Sequence, residues 1–164
     1  MQVTIISAEI NSGKTTYAKH LIEGHEMEYL GFLSLSDSLK KEFYLQDIND
    51  RKKILIMSES GNDAYEKLGR FYLDPNGFDI AFNSLIEEIN NSSDNKTVLI
   101  DEVGRLELRG KGFNALINKL IEMDIDLLLC VRKSFVREVI EKYGFTNCKV
   151  INVEYDESFR KSNS

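Results

Sequence analysis

Residues 3–16 read VTIISAEINSGKTT, and this stretch decides the fold class of the 164-residue chain. It opens with a β-branched run from Val3 to Ser7, which predicts a strand. A turn of small and polar residues follows, and after Lys14 the apolar positions recur at helical spacing. A strand, a glycine-containing turn and a helix in direct succession are what a loop that wraps phosphate groups requires.

The turn itself fits the spacing of the Walker A motif, with Ala8 in place of the first glycine. In such a loop the backbone N–H groups point at phosphates, and the helix N-terminus adds positive partial charge. We expect Lys14 to bind the β- and γ-phosphates and the Thr15 hydroxyl to ligate Mg²⁺. The alternative is an ordinary strand–turn–helix with an exposed lysine. The predicted nucleotide-binding residues are Ala8, Glu9, Ile10, Asn11, Ser12, Gly13, Lys14, Thr15 and Thr16.

A second candidate site consists of two acids. Asp101 and Glu102 directly follow the buried strand predicted at 97–100. In a parallel sheet the carboxyl ends of the strands face the ligand crevice. We expect Asp101 to hold Mg²⁺, directly or through a water, and Glu102 to orient and polarise the water that attacks the γ-phosphate. The alternative is that the two acids merely end a strand and cap a turn.

Two arginines are candidates for neutralising the charge that develops during phosphoryl transfer. Arg105 lies three residues after Glu102, and Arg132 follows the apolar run that ends at Val131. Either side chain can reach the γ-phosphate from the same edge of the predicted sheet. An exposed structural role is the alternative for each.

The rest of the chain alternates short β-like runs with amphipathic helical segments. This alternation predicts a three-layer α/β/α P-loop NTPase fold with a mostly parallel central sheet. The apolar runs 43–45 and 54–57 predict additional antiparallel strands or a hairpin in the middle region. We predict a single domain over 1–155 and a polar C-terminal tail over 156–164. The other predicted elements are a strand at 30–35, helices over 78–89, 113–121 and 135–143, and strands at 125–131 and 150–153.

Composition excludes several classes of protein. The net charge of −6 argues against a nucleic-acid partner, since a phosphate-tracking surface usually carries a basic excess. No apolar run reaches membrane-spanning length, and the first residues lack the basic head of a signal peptide. Cys130 and Cys148 are not spaced as metal ligands, and Cys130 is expected to be a buried, inert thiol. These features predict a cytoplasmic protein without a membrane partner; the sequence identifies no protein partner.

The segment DEVGRLEL at 101–108, followed by Phe113, resembles the "DEIGxMEL…F" segment of the THEP-type nucleoside-triphosphatases. The phosphate loop ending in GKTT and the stretch 68–74 are also similar to that family. The resemblance covers roughly 1–31 and 68–153, and the family usually has glycine where Ala8 and Asn11 stand. It implies a RecA-like fold of the additional-strand, catalytic-glutamate class, and Mg²⁺-dependent hydrolysis of ATP, GTP and other triphosphates.

Three functions are therefore compatible with the sequence. The first is a nucleoside-triphosphatase of broad base tolerance. The second is a small-molecule or nucleotide kinase, with the middle region forming an acceptor site. The third is a nucleotide-binding module with little turnover, in which the departures at Ala8, Glu9 and Asn11 have weakened catalysis.

Overall fold

The computed structural model describes residues 1–9, 13–25, 28–92 and 95–153. The predicted tail, 156–164, lies outside the described residues, and the extent of the domain stays a prediction. The elements in chain order are β1 (Val3–Ala8), α1 (Lys14–Ile22), β2 (Tyr29–Ser36), β3 (Glu42–Asp47), β4 (Lys53–Ser58), β5 (Glu66–Leu68), β6 (Phe71–Leu73), α2 (Pro75–Asn91), β7 (Thr97–Val103), α3 (Arg105–Leu108), α4 (Asn114–Glu122), β8 (Asp126–Arg132), α5 (Val136–Tyr143) and β9 (Cys148–Asn152).

One sheet carries all of these strands, in the order β5-β6-β4-β3-β2-β7-β8-β1-β9. The neighbours from β2 to β9 in this order pair in parallel. Strand β8 lies between the phosphate-loop strand β1 and the acidic strand β7. Strand β8 is thus the additional strand that the family resemblance implies, and its width sets the distance between the phosphate loop and the two acids.

The other half of the sheet is antiparallel and larger than predicted. Strands β3 and β4 form the expected hairpin beside β2. A second hairpin, β5–β6, extends the sheet beyond β4 and was not predicted. Each of its strands has only three residues, too few to show an alternating pattern in the sequence.

Helices cover both faces of the sheet, as predicted for a three-layer fold. On one face α1 packs Ala18 and Ile22 against Ile6, Leu99 and Leu128. The other face is the larger core, formed by α2, α4 and α5. It contains fully buried side chains of these helices, among them Ala81, Leu85, Ile117, Leu120 and Val139.

The start of α2 corrects one prediction. The helix was predicted over 78–89, but it begins earlier, at Pro75. Asp74 caps it, because its side chain accepts a hydrogen bond from the Asn76 N–H at 2.9 Å. Proline at the first helical position needs no N–H partner, so it starts the helix rather than preventing it.

No helix within the described ranges is long and apolar enough to cross a membrane. The helix that was predicted over 135–143 spans Val136–Tyr143, and Gly144 is its C-cap.

Candidate active site

The phosphate loop begins and ends as the motif requires. Ala8 is buried at the end of β1, and Glu9 after it is exposed. Gly13 has φ 90°, a left-handed conformation that favours glycine, and it caps the N-terminus of α1. Ile10, Asn11 and Ser12 lie outside the described residues, and the nucleotide contacts predicted for the whole loop stay predictions.

The side chain of Lys14 is buried and contacts the first part of the phosphate loop. The residue is 5% exposed, although a lysine is rarely buried. Its Nζ donates to the backbone carbonyl of Glu9 at 3.3 Å, across the loop. The ammonium group therefore lies on the loop side of α1 rather than in bulk water, which argues against the alternative of an exposed structural lysine.

Thr15 and Asp101 meet across the gap between the loop and the acidic strand. The Thr15 hydroxyl donates to Asp101 Oδ2 at 2.7 Å. Asp101 has no exposed surface, and the Ser34 N–H of the neighbouring strand donates to the same oxygen at 3.1 Å. Burial raises the pKa of Asp101 above its usual range, while the hydrogen bond from Thr15 opposes that shift.

The two acids lie together in a β-bulge. Strand β7 shifts register against β8 between Ile100 and Val103, and Glu102 within the bulge has φ 60°. The Glu102 N–H donates to Asp101 Oδ1 at 2.9 Å. As a result Asp101 is fully buried, while its neighbour Glu102 is exposed and lines an open cleft at the end of the sheet.

The two predicted arginines line the same cleft as Glu102. Arg105 is exposed at the start of α3. Arg132 ends β8, where it pairs with Ala8 of the phosphate-loop strand. Its Cζ lies 5.6 Å from the centroid of the Phe135 ring, so the guanidinium stacks on that ring. The structure brings both cations to the acidic site, and their catalytic roles stay predictions.

Oxygen atoms suited to Mg²⁺ meet at the Thr15–Asp101 contact. A hydroxyl and a carboxylate are hard ligands, and Mg²⁺ in nucleotide sites usually takes one or two protein oxygens besides phosphates and waters. Asp101 is a buried carboxylate for which the described part of the chain supplies hydrogen-bond donors but no salt bridge. No group of three or more His, Cys, Asp or Glu side chains suited to a metal occurs in that same part. Thr15 and Asp101 therefore fit a magnesium ion that binds together with a nucleotide.

Three residues near the acids were not predicted to have a role. Ser34 donates its N–H to Asp101. Its polar side chain near the end of an apolar strand is the one sequence feature that could have indicated a role in the site. Cys130 is fully buried, and this burial and the nearby charge of Asp101 raise the pKa of its thiol, in keeping with the inert cysteine that was predicted. Glu107, only 2% exposed, accepts the Gly104 N–H and the Phe113 N–H at 2.8 and 3.0 Å.

A profile of the family described as "NTPase" matches residues 3–160. The chain belongs to this NTPase family. The match spans the phosphate loop, the acidic strand and the middle region between them, and it confirms the resemblance to THEP-type proteins. No curated protein matches the sequence of this NTPase in a direct comparison.

The solved structures that share the fold of this NTPase include the following two. The crystal structure of THEP1 from the hyperthermophile Aquifex aeolicus superposes with a TM-score of 0.73 at 19% identity, covering 98% of this chain and 93% of that one. The solution structure of a human cancer-related nucleoside triphosphatase superposes with a TM-score of 0.72 at 15% identity, over 100% of both chains. Both likenesses confirm the predicted fold class.

Proposed function

We propose that the protein is a Mg²⁺-dependent nucleoside-triphosphatase that hydrolyses the terminal phosphate of ATP, GTP and other triphosphates in the cytoplasm. One observation carries the proposal: the hydroxyl of Thr15 lies 2.7 Å from a buried carboxylate, Asp101, whose neighbour Glu102 is exposed at the same edge of the sheet. Membership of the NTPase family supports the same reaction.

Phosphate binding belongs to the loop. Gly13 and the other loop amides donate to the phosphate oxygens, and the buried Lys14 ammonium binds the β- and γ-phosphates. When the nucleotide binds, Lys14 exchanges its contact with the Glu9 carbonyl for phosphate oxygens. Arg105 and Arg132 neutralise charge on the γ-phosphate as it is transferred.

Thr15 and Asp101 would hold Mg²⁺, and the bound ion would neutralise negative charge on the phosphates. Glu102 accepts a proton from a water as that water forms a bond to the γ-phosphorus. The bond between the γ-phosphorus and its bridging oxygen breaks, so the products are a nucleoside diphosphate and inorganic phosphate. Because Glu102 is exposed in the cleft, a water can reach its carboxylate.

The test is phosphate release from ATP, GTP, CTP and UTP. We expect Glu102→Gln to lower turnover about 100-fold or more while triphosphate binding remains, because the amide cannot accept the proton. Lys14→Ala should lose binding and turnover together. The matched control is Lys19→Ala, an exposed lysine of the same helix, which should behave as the unmutated protein.

A chelator tests the metal. Removal of Mg²⁺ with EDTA should stop phosphate release, and added Mg²⁺ should restore it.

Equal turnover of Glu102→Gln and the unmutated protein would contradict the assigned role of Glu102. Binding of triphosphates without release from any of the four would contradict the hydrolase proposal as a whole.

A further inference from the structure

The cleft beside Glu102 extends well beyond the two acids. It measures about 530 Å³ and reaches from the carboxyl ends of β2 and β7 to the antiparallel strands β3, β4 and β5. Lys14 and Thr15 are not among the residues that line it. Asp101 and Glu102 do line it, and Asp101 contacts Thr15, so the cleft adjoins the proposed phosphate site on the side of Glu102.

Its volume exceeds what hydrolysis needs. One water takes about 30 Å³, whereas sites for small molecules usually measure about 300–1,000 Å³. The cleft falls within the second range. A site that served only to position a water would need less than a tenth of this space.

The walls of the cleft are largely apolar and partly exposed. Phe43, Met57 and Leu68 come from the antiparallel strands, and Phe78 and Phe135 come from the helical side. All five side chains keep some exposed surface, unlike the core residues behind them. Apolar and aromatic walls with a few polar groups at one end are typical of a small-molecule site.

The cleft is lined by three acids, Asp101, Glu102 and Glu107, and by three cations, so an anionic group can bind only where the cations lie. Besides Arg105 and Arg132, which face the γ-phosphate position, Lys40 of the β2–β3 turn lines it. Lys40 is exposed and has no assigned part in nucleotide binding. A ligand whose apolar body lies against the aromatic wall can thus pair an anionic group with Lys40.

We propose that this cleft is a second small-molecule site, and that it binds a compound with an aromatic or apolar body and one anionic group. The inference rests on the proposed function only for the position of the attacking water. An occupant displaces that water from Glu102. If the occupant carries a hydroxyl there, its oxygen forms the bond to the γ-phosphorus, its proton goes to Glu102, and a phosphate ester leaves with the nucleoside diphosphate.

The test uses 8-anilinonaphthalene-1-sulfonate, an aromatic anion that fluoresces in apolar sites. The folded, nucleotide-free protein should bind one molecule saturably. Lys40→Glu should weaken that binding about tenfold, because it replaces an attractive charge with a repulsive one. Its matched control, Lys41→Glu, changes an exposed neighbour that does not line the cleft and should bind as the unmutated protein does.

A second pair tests the apolar wall. Leu68→Ser should weaken binding several-fold, whereas Leu39→Ser, at a residue 67% exposed and outside the cleft, should not. The absence of a saturable site, or equal effects within either pair, would overturn the proposal.

The proposed position of the occupant beside Glu102 is tested by measuring phosphate release. With the dye bound, phosphate release should fall while triphosphate binding remains, and unchanged release would overturn the assigned position. Lys14→Ala should keep the dye site while losing turnover. Failure of the second site is therefore distinguishable from failure of the triphosphatase proposal.

Discussion

Glu107 brings a carboxylate into the interior between α3 and α4, where its two oxygens accept the N–H groups of Gly104 and Phe113. Glu107→Gln leaves one acceptor oxygen, so one of the two buried donors faces an amide NH₂. We expect the free energy of unfolding to fall by about 1–3 kcal/mol, measured by urea denaturation. Glu122→Gln, at the exposed end of α4, should change it little. Equal losses would contradict the role of Glu107.

The same variant has a pH signature. Burial raises the pKa of Glu107 above its usual range. The folded protein thus binds this proton more tightly than the unfolded chain does, and the corresponding stability is lost as the pH rises through the folded-state pKa. The advantage of the unmutated protein over Glu107→Gln should therefore shrink over the pH range above 4.5, the ordinary pKa of a glutamate. A difference that stays constant across this range would contradict it.

At the scale of single residues, local patterns indicate those candidate residues that lie in continuous motifs, and the roles of these residues stay predictions. Lys14 and Thr15 follow from their loop, and Asp101 and Glu102 follow from the apolar run before them. Ser34 was not predictable in this way, because it contacts Asp101 only through the pairing of β2 with β7. A single sequence does not contain the register of two strands far apart in the chain.

At the scale of elements, the contact between β2 and β7 depends on one glycine. Gly31 has φ 115°, and a Cβ built on it would lie 2.0 Å from the Leu99 carbonyl oxygen. We expect Gly31→Ala to lower the free energy of unfolding by about 3 kcal/mol or more, because the strands must separate. Urea denaturation measures the loss.

The matched control for Gly31→Ala is Gly69→Ala. Gly69 also has a positive φ, of 64°, but a Cβ there would meet nothing within 4 Å. Its cost should be limited to about 1–2 kcal/mol of backbone strain. If both variants lost the same stability, the close approach of the two strands would not be the cause.

The elements that sequence patterns predicted are those long enough to show a period. The apolar run of β8 and the amphipathic face of α2 are of this kind. Strands β5 and β6 have three residues each, and α3 has four, so none of them completes a recognisable pattern. The bulge in β7 was likewise hidden, because Asp101 and Glu102 read as the plain end of a strand.

At the scale of the whole molecule, the sheet should differ in stability from its centre to its edge. Strand β8 is paired on both sides, and Leu127 to Val131 are all buried. Strand β5 is a three-residue edge strand with two exposed residues. We expect native-state hydrogen exchange to be slowest in β8, near the global free energy of unfolding, and much faster in β5 and β6. Comparable protection of β5 and β8 would contradict this gradient.

The left-handed backbone at Glu102 has a consequence for how this protein can change. A side chain at φ 60° costs on the order of 1–2 kcal/mol that glycine would not. Glycine is therefore the residue with the least backbone strain at this position, but it has no carboxylate that could accept a proton from water. Selection for folding stability alone therefore favours glycine at position 102, and it would remove the catalytic role proposed for Glu102 with no loss of stability.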